Sequence, residues 1–142
     1  MNENIELLNY IYQNAGMGKE TITKLIDMSK DEKYKKMLNS QLEEYKMICN
    51  KAEEKIKQLN KEAKDNNIFS KVATYLIINF NTLINKTPSH LSELLIHGSA
   101  VGIVDITRSI KKYPNADKDT VKLANKLLKL EENNVEECKK YL

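Results

Sequence analysis

Apolar residues recur at steps of three and four along three long segments of the chain, the spacing of one buried face on an α-helix. The segments cover residues 4–28, residues 31–64, and the residues after Pro114. Their seam positions are Ile5, Leu8, Tyr12, Ala15, Ile22 and Ile26 in the first, Leu38, Leu42, Tyr45, Cys49, Ala52, Ile56, Leu59 and Ala63 in the second, and Val121, Ala124, Leu128, Glu131, Val135, Cys138 and Leu142 in the last. The pattern predicts an all-α bundle.

A fourth helical segment, residues 91–113, carries apolar side chains on nearly every face. A helix of this kind is buried on several sides, so it is predicted to be the central helix of the bundle. Gly98 and Gly102 lie four residues apart on one face of it. Their small size predicts a close approach by a neighbouring helix.

Turn and capping residues separate these segments. Ser29 to Glu32 has the S-x-x-E form of a capping box and predicts the start of the second helix, antiparallel to the first. The run 65–67, Asp-Asn-Asn, predicts the turn after it. Thr87 and Pro88 suit the N-cap and first turn of the third helix, and residues 114–117 end it and cap the last.

Residues 68–85 form a broadly apolar connection between the second and third long helices. We expect a helix that packs across the bundle. The alternative is a helix lying on a membrane surface, but such helices usually carry a lysine-rich polar face. This segment has only one lysine near each end, which favours packing against the bundle.

The composition limits the classes of function. The 142 residues suffice for a single domain, 1–142, and the net charge is only +3. Of 23 basic residues only Arg108 is an arginine, and a phosphate-reading surface would favour arginine, so nucleic-acid binding is not expected. No apolar run approaches the roughly 20 residues of a membrane span, and the N-terminus does not resemble a signal peptide.

Cys49 and Cys138 match neither a disulfide framework nor a zinc-binding pattern. A cytoplasmic location is therefore expected. Because both occupy seam positions, we predict that they are buried, reduced and slow to react. The alternative is that Cys138 lies at a frayed helix end.

The order of two long helices, a connection of about twenty residues and two more long helices resembles the ferritin-like four-helix bundle. The segments LLIHGSAVGIVDITRSIKKY (94–113) and NADKDTVKLANKLLKLEENNVEECKKYL (115–142) are also similar to small uncharacterised ferritin-like proteins of Gram-positive bacteria. The resemblance implies a ferritin-like four-helix bundle with a helical crossover between the second and third long helices.

Catalytic members of that superfamily hold two iron ions with a Glu from each of two helices and a Glu-x-x-His from each of the other two. This sequence departs from that pattern. The triplets present are Glu43-x-x-Lys46, Glu44-x-x-Met47, Glu131-x-x-Asn134, Glu132-x-x-Val135 and Glu136-x-x-Lys139. His90 and His97 both fall on the third helix, where Glu93 and His97 could share a metal, although two ligands make a weak site. The weak metal candidates are thus Glu93, His97 and Glu131.

Two functions stay open. The first is a non-enzymatic scaffold or protein-interaction module without a metal centre or cofactor, which binds a protein partner or itself through an apolar helix face. The face of Gly98 and Gly102 and the apolar crossover are the candidate surfaces. The alternative is a diverged di-metal oxidoreductase or metal-binding protein, ferritin- or rubrerythrin-like, that uses Glu93, His97 and Glu131. No phosphate-binding loop or serine nucleophile elbow points to another enzyme class.

Glu131 is the one charged residue on the last seam. If the third and fourth helices are antiparallel and rise equally per residue, the numbers of two residues at the same height sum to roughly 230. Glu131 is then level with Ser99. A buried glutamate needs hydrogen-bond partners or a counter-charge. We predict a polar cluster around Glu131 with partners from His97, Ser99, Tyr45 and Lys19. The alternative is a slight helix rotation that leaves the carboxylate in solvent.

Overall fold

The computed structural model describes residues 2–64, 79 and 84–142. These residues contain four long helices: α1 is Glu3–Met28, α2 is Glu32–Gln58, α3 is Pro88–Lys112 and α4 is Lys118–Lys139. They share one hydrophobic core, and no strand occurs among the described residues. The predicted all-α four-helix bundle is confirmed. Most of the predicted crossover helix, residues 68–85, lies outside the described residues.

The helix starts follow local capping chemistry. The Asn2 side chain accepts hydrogen bonds from the backbone of the first turn of α1, and Thr87 with Pro88 starts α3 as predicted. The predicted capping box is wrong in one respect. Asp31 is the N-cap of α2, accepting from the Tyr34 N–H at 2.8 Å, whereas Ser29 ends α1. The negative charge of an aspartate at this position also interacts favourably with the positive end of the helix dipole.

Helix α2 ends at Gln58, six residues before the predicted end at Lys64. The cause is Asn60, which has a φ of 58°. Its N–H donates to the Lys57 carbonyl, and the next N–H, of Lys61, donates to the Ile56 carbonyl. This pair of bonds is a Schellman motif, and asparagine is one of the few residues that adopts the left-handed conformation it needs. Leu59, predicted to be buried in the seam, is consequently 42% exposed.

Among the described residues, α1 and not α3 packs against the other helices most widely, in contrast to the prediction that the third helix is central. Helix α3 packs mainly on α4 and also on α1, and it meets α2 at the hydroxyl groups of Tyr34 and Ser92, whereas α1 packs against all three other helices. One side of α3 faces away from the core, with Val101 39% and Val104 47% exposed. The middle of its buried face has small residues, Gly98, Ser99 and Gly102, and the large apolar residues Leu91, Leu95 and Ile106 flank them.

The buried face of α4 is rotated around the helix axis relative to the predicted seam. Three of the predicted positions, Val121, Leu128 and Val135, are only half-buried. The buried residues of the helix are Thr120, Leu123, Ala124, Leu127, Leu130, Glu131, Asn134 and Cys138. This rotation keeps Glu131 inside the bundle and brings Asn134 in beside it.

Candidate functional site

The centre of the bundle holds a cluster of buried polar side chains from three helices. Glu131 on α4 is 2% exposed, and the hydroxyl groups of Tyr45 on α2 and Ser99 on α3 hydrogen-bond to its carboxylate. The Asn134 side-chain amide, on α4, donates to the Tyr45 hydroxyl oxygen at 3.0 Å. We refer to Glu131, Tyr45, Ser99 and Asn134 as the Glu131 cluster.

Two glycines make room for the cluster. A Cβ on Gly18 of α1 would overlap the ring of Tyr45, and a Cβ on Gly102 of α3 would lie 2.9 Å from the Glu131 Oε1 atom. Real Cβ atoms do not approach other atoms this closely, so each position requires glycine for the present packing. The sequence predicted that a neighbouring backbone approaches closely at Gly102; a close approach does occur there, but the group that makes it is the side-chain carboxylate of Glu131.

Burial governs the protonation of the cluster. Removal from water raises the pKa of Glu131 from its ordinary value of 4.5 to about 7, although the hydrogen bonds from Tyr45 and Ser99 act to lower it. Burial also raises the pKa of Tyr45, and the nearby Glu131 charge raises it further. Near neutral pH the cluster therefore exists with Glu131 partly protonated and Tyr45 as a neutral phenol.

Little free space adjoins the cluster. A cavity of about 10 Å³ lies beside it, close to the minimum volume that accommodates one water molecule. Its lining residues are Met17, Gly18, Thr21, Ile22, Tyr45, Leu95, Gly98, Ser99 and Glu131. The site has room for a water molecule, not for an organic substrate.

The predicted polar cluster is confirmed, with two of the four suggested partners. Tyr45 and Ser99 hydrogen-bond to Glu131. The expectation for His97 is wrong, since it lies on the exposed side of α3. The expectation for Lys19 is wrong as well, because its charge affects the pKa of Glu53 at the surface and not that of Glu131.

The three weak metal candidates are not brought together. Glu93 and His97 are exposed, whereas Glu131 is buried. Within residues 2–64, 79 and 84–142, no three His, Cys, Asp or Glu side chains are grouped so that they could hold a metal ion. A di-iron site needs several carboxylates and two imidazoles, and the Glu131 cluster contributes one carboxylate with neutral hydroxyl and amide groups. This set of donors does not fit a di-metal centre.

Sequence reasoning missed Asn134 as a member of the cluster. The signal was present, because Asn134 follows Glu131 by three residues and therefore shares its helix face. Asn14 was missed in the same way. It is fully buried on α1, and its side-chain amide donates to the Gly102 carbonyl at 3.4 Å.

A second buried polar group lies at another level of the bundle. The Tyr34 hydroxyl and the Ser92 hydroxyl are 2.9 Å apart, and the Tyr34 ring meets Tyr141 edge to face at 4.9 Å. Burial raises the pKa of the adjacent Cys138 thiol to about 11. Cys138 is fully buried and Cys49 nearly so, which confirms the predicted burial of both and contradicts a frayed end at Cys138.

Comparison with known proteins identifies the fold alone. No protein-family model matches the chain, and no curated protein matches its sequence. Among solved structures, the chain is similar to YcfI of Rhodopseudomonas palustris, a proposed structural protein, with a TM-score of 0.62 and 14% sequence identity. The alignment covers 94% of this chain and 88% of that chain. No helix in the described part of the chain is long and apolar enough to cross a membrane.

Proposed function

We propose that this chain is a ferritin-like bundle that acts as a scaffold or protein-interaction module without catalytic activity. The observation that carries the proposal is the Glu131 cluster. The bundle core at this level is filled by side chains that hydrogen-bond to each other, namely Tyr45, Ser99 and Asn134 around a single carboxylate. The proposed setting is a cytoplasm, where Cys49 and Cys138 stay reduced.

The chemistry of the cluster supports a structural role. Glu131 and Asn134 have the i, i+3 spacing of the Glu-x-x-His motif that the resemblance implies for metal-binding relatives. An asparagine at the histidine position offers an amide instead of an imidazole, and here that amide donates to Tyr45. A buried polar network whose members satisfy one another specifies how the helices align. The similarity to YcfI, a proposed structural protein, agrees with this role.

The alternative of a di-metal oxidoreductase has weaker support. It requires Glu93, His97 and Glu131 to converge on one ion, but the first two side chains are exposed on α3 while Glu131 faces the core. Rotating α3 to turn His97 inward would turn the buried Ser99 outward, since the two are about 200° apart around the helix. No observation favours that rearrangement.

Metal analysis of the protein tests the proposal. We expect protein purified without chelators from iron- and manganese-supplemented cells to retain far less than one metal ion per chain after dialysis. Near-stoichiometric iron or manganese would overturn the proposal. The variants Glu131→Gln and His97→Ala, with the exposed Glu132→Gln as control, would then identify the ligands by their loss of metal.

A further inference from the structure

A groove runs along the surface between α2 and α4. It consists of two adjoining depressions of about 440 and 280 Å³ that share Met47, Ile48 and Lys126. Lys55 and Asp119 line one end, and Glu44 and Asn133 line the other, so the two helices are antiparallel along it. The lined segments, 44–55 and 119–133, give a length of roughly 16–21 Å at 1.5 Å per residue.

The floor of the groove is apolar. Ile48, Leu123 and Leu130 form it from beneath and are buried in the core. Met47 stands above them and is 60% exposed, unusual for a large apolar side chain. Methionine adapts its shape to a variety of apolar partners and is common at binding surfaces.

The rim of the groove is basic. Two carboxylates line it, those of Glu44 and Asp119, together with five lysines: Lys51, Lys55, Lys122, Lys126 and Lys129. Five lysines elsewhere on the described surface form ion pairs with glutamates on their own helix, among them Lys46 and Lys57, whereas others such as Lys24 and Lys111 form none. None of the five rim lysines has an ion-pair partner among the described residues. The rim therefore has an excess of positive charge, with five lysines against two carboxylates and none of the five in a close ion pair with a described residue.

We propose that this groove docks an acidic amphipathic helix of a partner protein. The length matches about 11–14 helical residues, three to four turns. The apolar face of such a helix would cover Met47 and the floor, and its flanking Asp and Glu side chains would lie opposite the rim lysines. The inference rests on the proposed function, because it supplies the partner surface of an interaction module.

Charge complementarity and shape together favour this occupant over others. A nucleic-acid backbone would match the positive rim but would leave the apolar floor unused, and the rim has no arginine to bind phosphate in a bidentate manner. A membrane surface would match the charge, but a bilayer is broad and does not fit a narrow concave groove. An apolar ligand alone would leave the five lysines without counter-charges.

Fluorescence anisotropy with a designed peptide tests the proposal. The probe is a labelled 14-residue helix with leucines on one face and glutamates on its flanks, and the control peptide has lysine in place of each glutamate. We expect the acidic peptide to bind the full chain, with affinity that falls as salt is added, and the basic peptide not to bind. Met47→Ser and the double variant Lys51→Glu/Lys126→Glu should each weaken binding about tenfold or more.

Matched variants elsewhere on the surface serve as controls. Val104→Ser removes an exposed apolar side chain from α3, and Lys24→Glu/Lys111→Glu makes the same change of net charge outside the groove. Both should change the affinity by less than about twofold. All these positions are at the surface, so circular dichroism melts should show each variant folded.

Several results would overturn the proposal. These are equal binding of the acidic and basic peptides, no binding of the acidic peptide at millimolar concentration, or equal losses in groove and control variants. Displacement of the bound peptide by phosphatidylserine vesicles or a 20-base-pair DNA duplex at lower concentration than unlabelled peptide would reassign the groove. Self-association of the chain that Met47→Ser abolishes would assign it to a second copy. None of these bears on the metal measurement, so the two proposals fail separately.

Discussion

Replacing Glu131 by glutamine should remove a pH-dependent loss of stability from the bundle. Glutamine has nearly the same shape, so it fits beside Gly102, and its side-chain carbonyl can accept the hydrogen bonds that Tyr45 and Ser99 make to the carboxylate. Unlike glutamate, it carries no charge at any pH. The variant therefore isolates the free-energy cost of keeping an ionised carboxylate at this buried position.

The sign follows from the direction of the pKa shift. In the folded chain the pKa of Glu131 is about 7, above its ordinary value of 4.5. Between these two values the folded state binds more protons than the unfolded state, so the free energy of unfolding falls as pH rises from about 4.5 to about 7 and is level above that. At about 1.4 kcal/mol per pKa unit, the loss is roughly 3 kcal/mol, an order-of-magnitude figure.

Urea denaturation of both proteins at pH 5 and pH 8 measures this effect. We expect similar stability at pH 5 and a variant more stable by roughly 3 kcal/mol at pH 8. Burial also raises the pKa of Asp105, but that residue is common to both proteins and cancels in the difference. Glu132→Gln, at the exposed next position, is the control and should show no such change. A stability difference between wild type and Glu131→Gln that is the same at both pH values would refute the reasoning.

Two further predictions concern the glycines of α1 and the cysteines. Gly18→Ala should destabilise the protein by about 1–3 kcal/mol because its Cβ would overlap the buried Tyr45 ring, whereas Gly16→Ala, with open space around it, should stabilise by up to about 1 kcal/mol through helix propensity; thermal melts that rank the pair in the opposite order would contradict this packing. Cys49 and Cys138 should react with a thiol reagent only after denaturant is added, since both are buried and the raised pKa of Cys138 suppresses its thiolate. Rapid labelling of both in the native protein would contradict that expectation.

The sequence was sufficient to predict the height of the Glu131 cluster along the bundle. Rise per residue is nearly constant in all α-helices, so antiparallel packing alone puts Glu131 level with Ser99, as the structure has it. The direction in which a side chain points around the helix axis is harder to predict, because successive residues are rotated by about 100°. His97 shares the height of Ser99 but points to the opposite side of α3, into solvent. A prediction based on height alone therefore correctly placed Ser99 beside Glu131 and wrongly included His97.

The errors at helix ends and on α4 have other physical causes. The end of α2 is set by the left-handed conformation of Asn60, and the three-and-four pattern of apolar residues continues past it to Ala63. On α4, the apolar positions allow two overlapping faces. Packing on the small residues of α3 selects the face that buries Leu127 and Asn134 instead of Leu128 and Val135. Only the partner helix distinguishes these faces, and periodicity within one helix contains no information about its partner.

The Glu131 cluster also links the four helices in one alignment. Gly18 on α1 admits the Tyr45 ring of α2, and Gly102 on α3 admits the carboxylate of α4. The hydrogen bond from Tyr45 to Glu131 joins these two close contacts. A shift of one helix along another would place a Cβ against the ring or leave a buried hydroxyl or carboxylate without its partner, and an unsatisfied buried group costs about 1–3 kcal/mol, more if charged. An apolar core of similar volume would impose no comparable penalty on a shifted helix. The carboxylate thus lowers stability at neutral pH and above, while it specifies how the helices align.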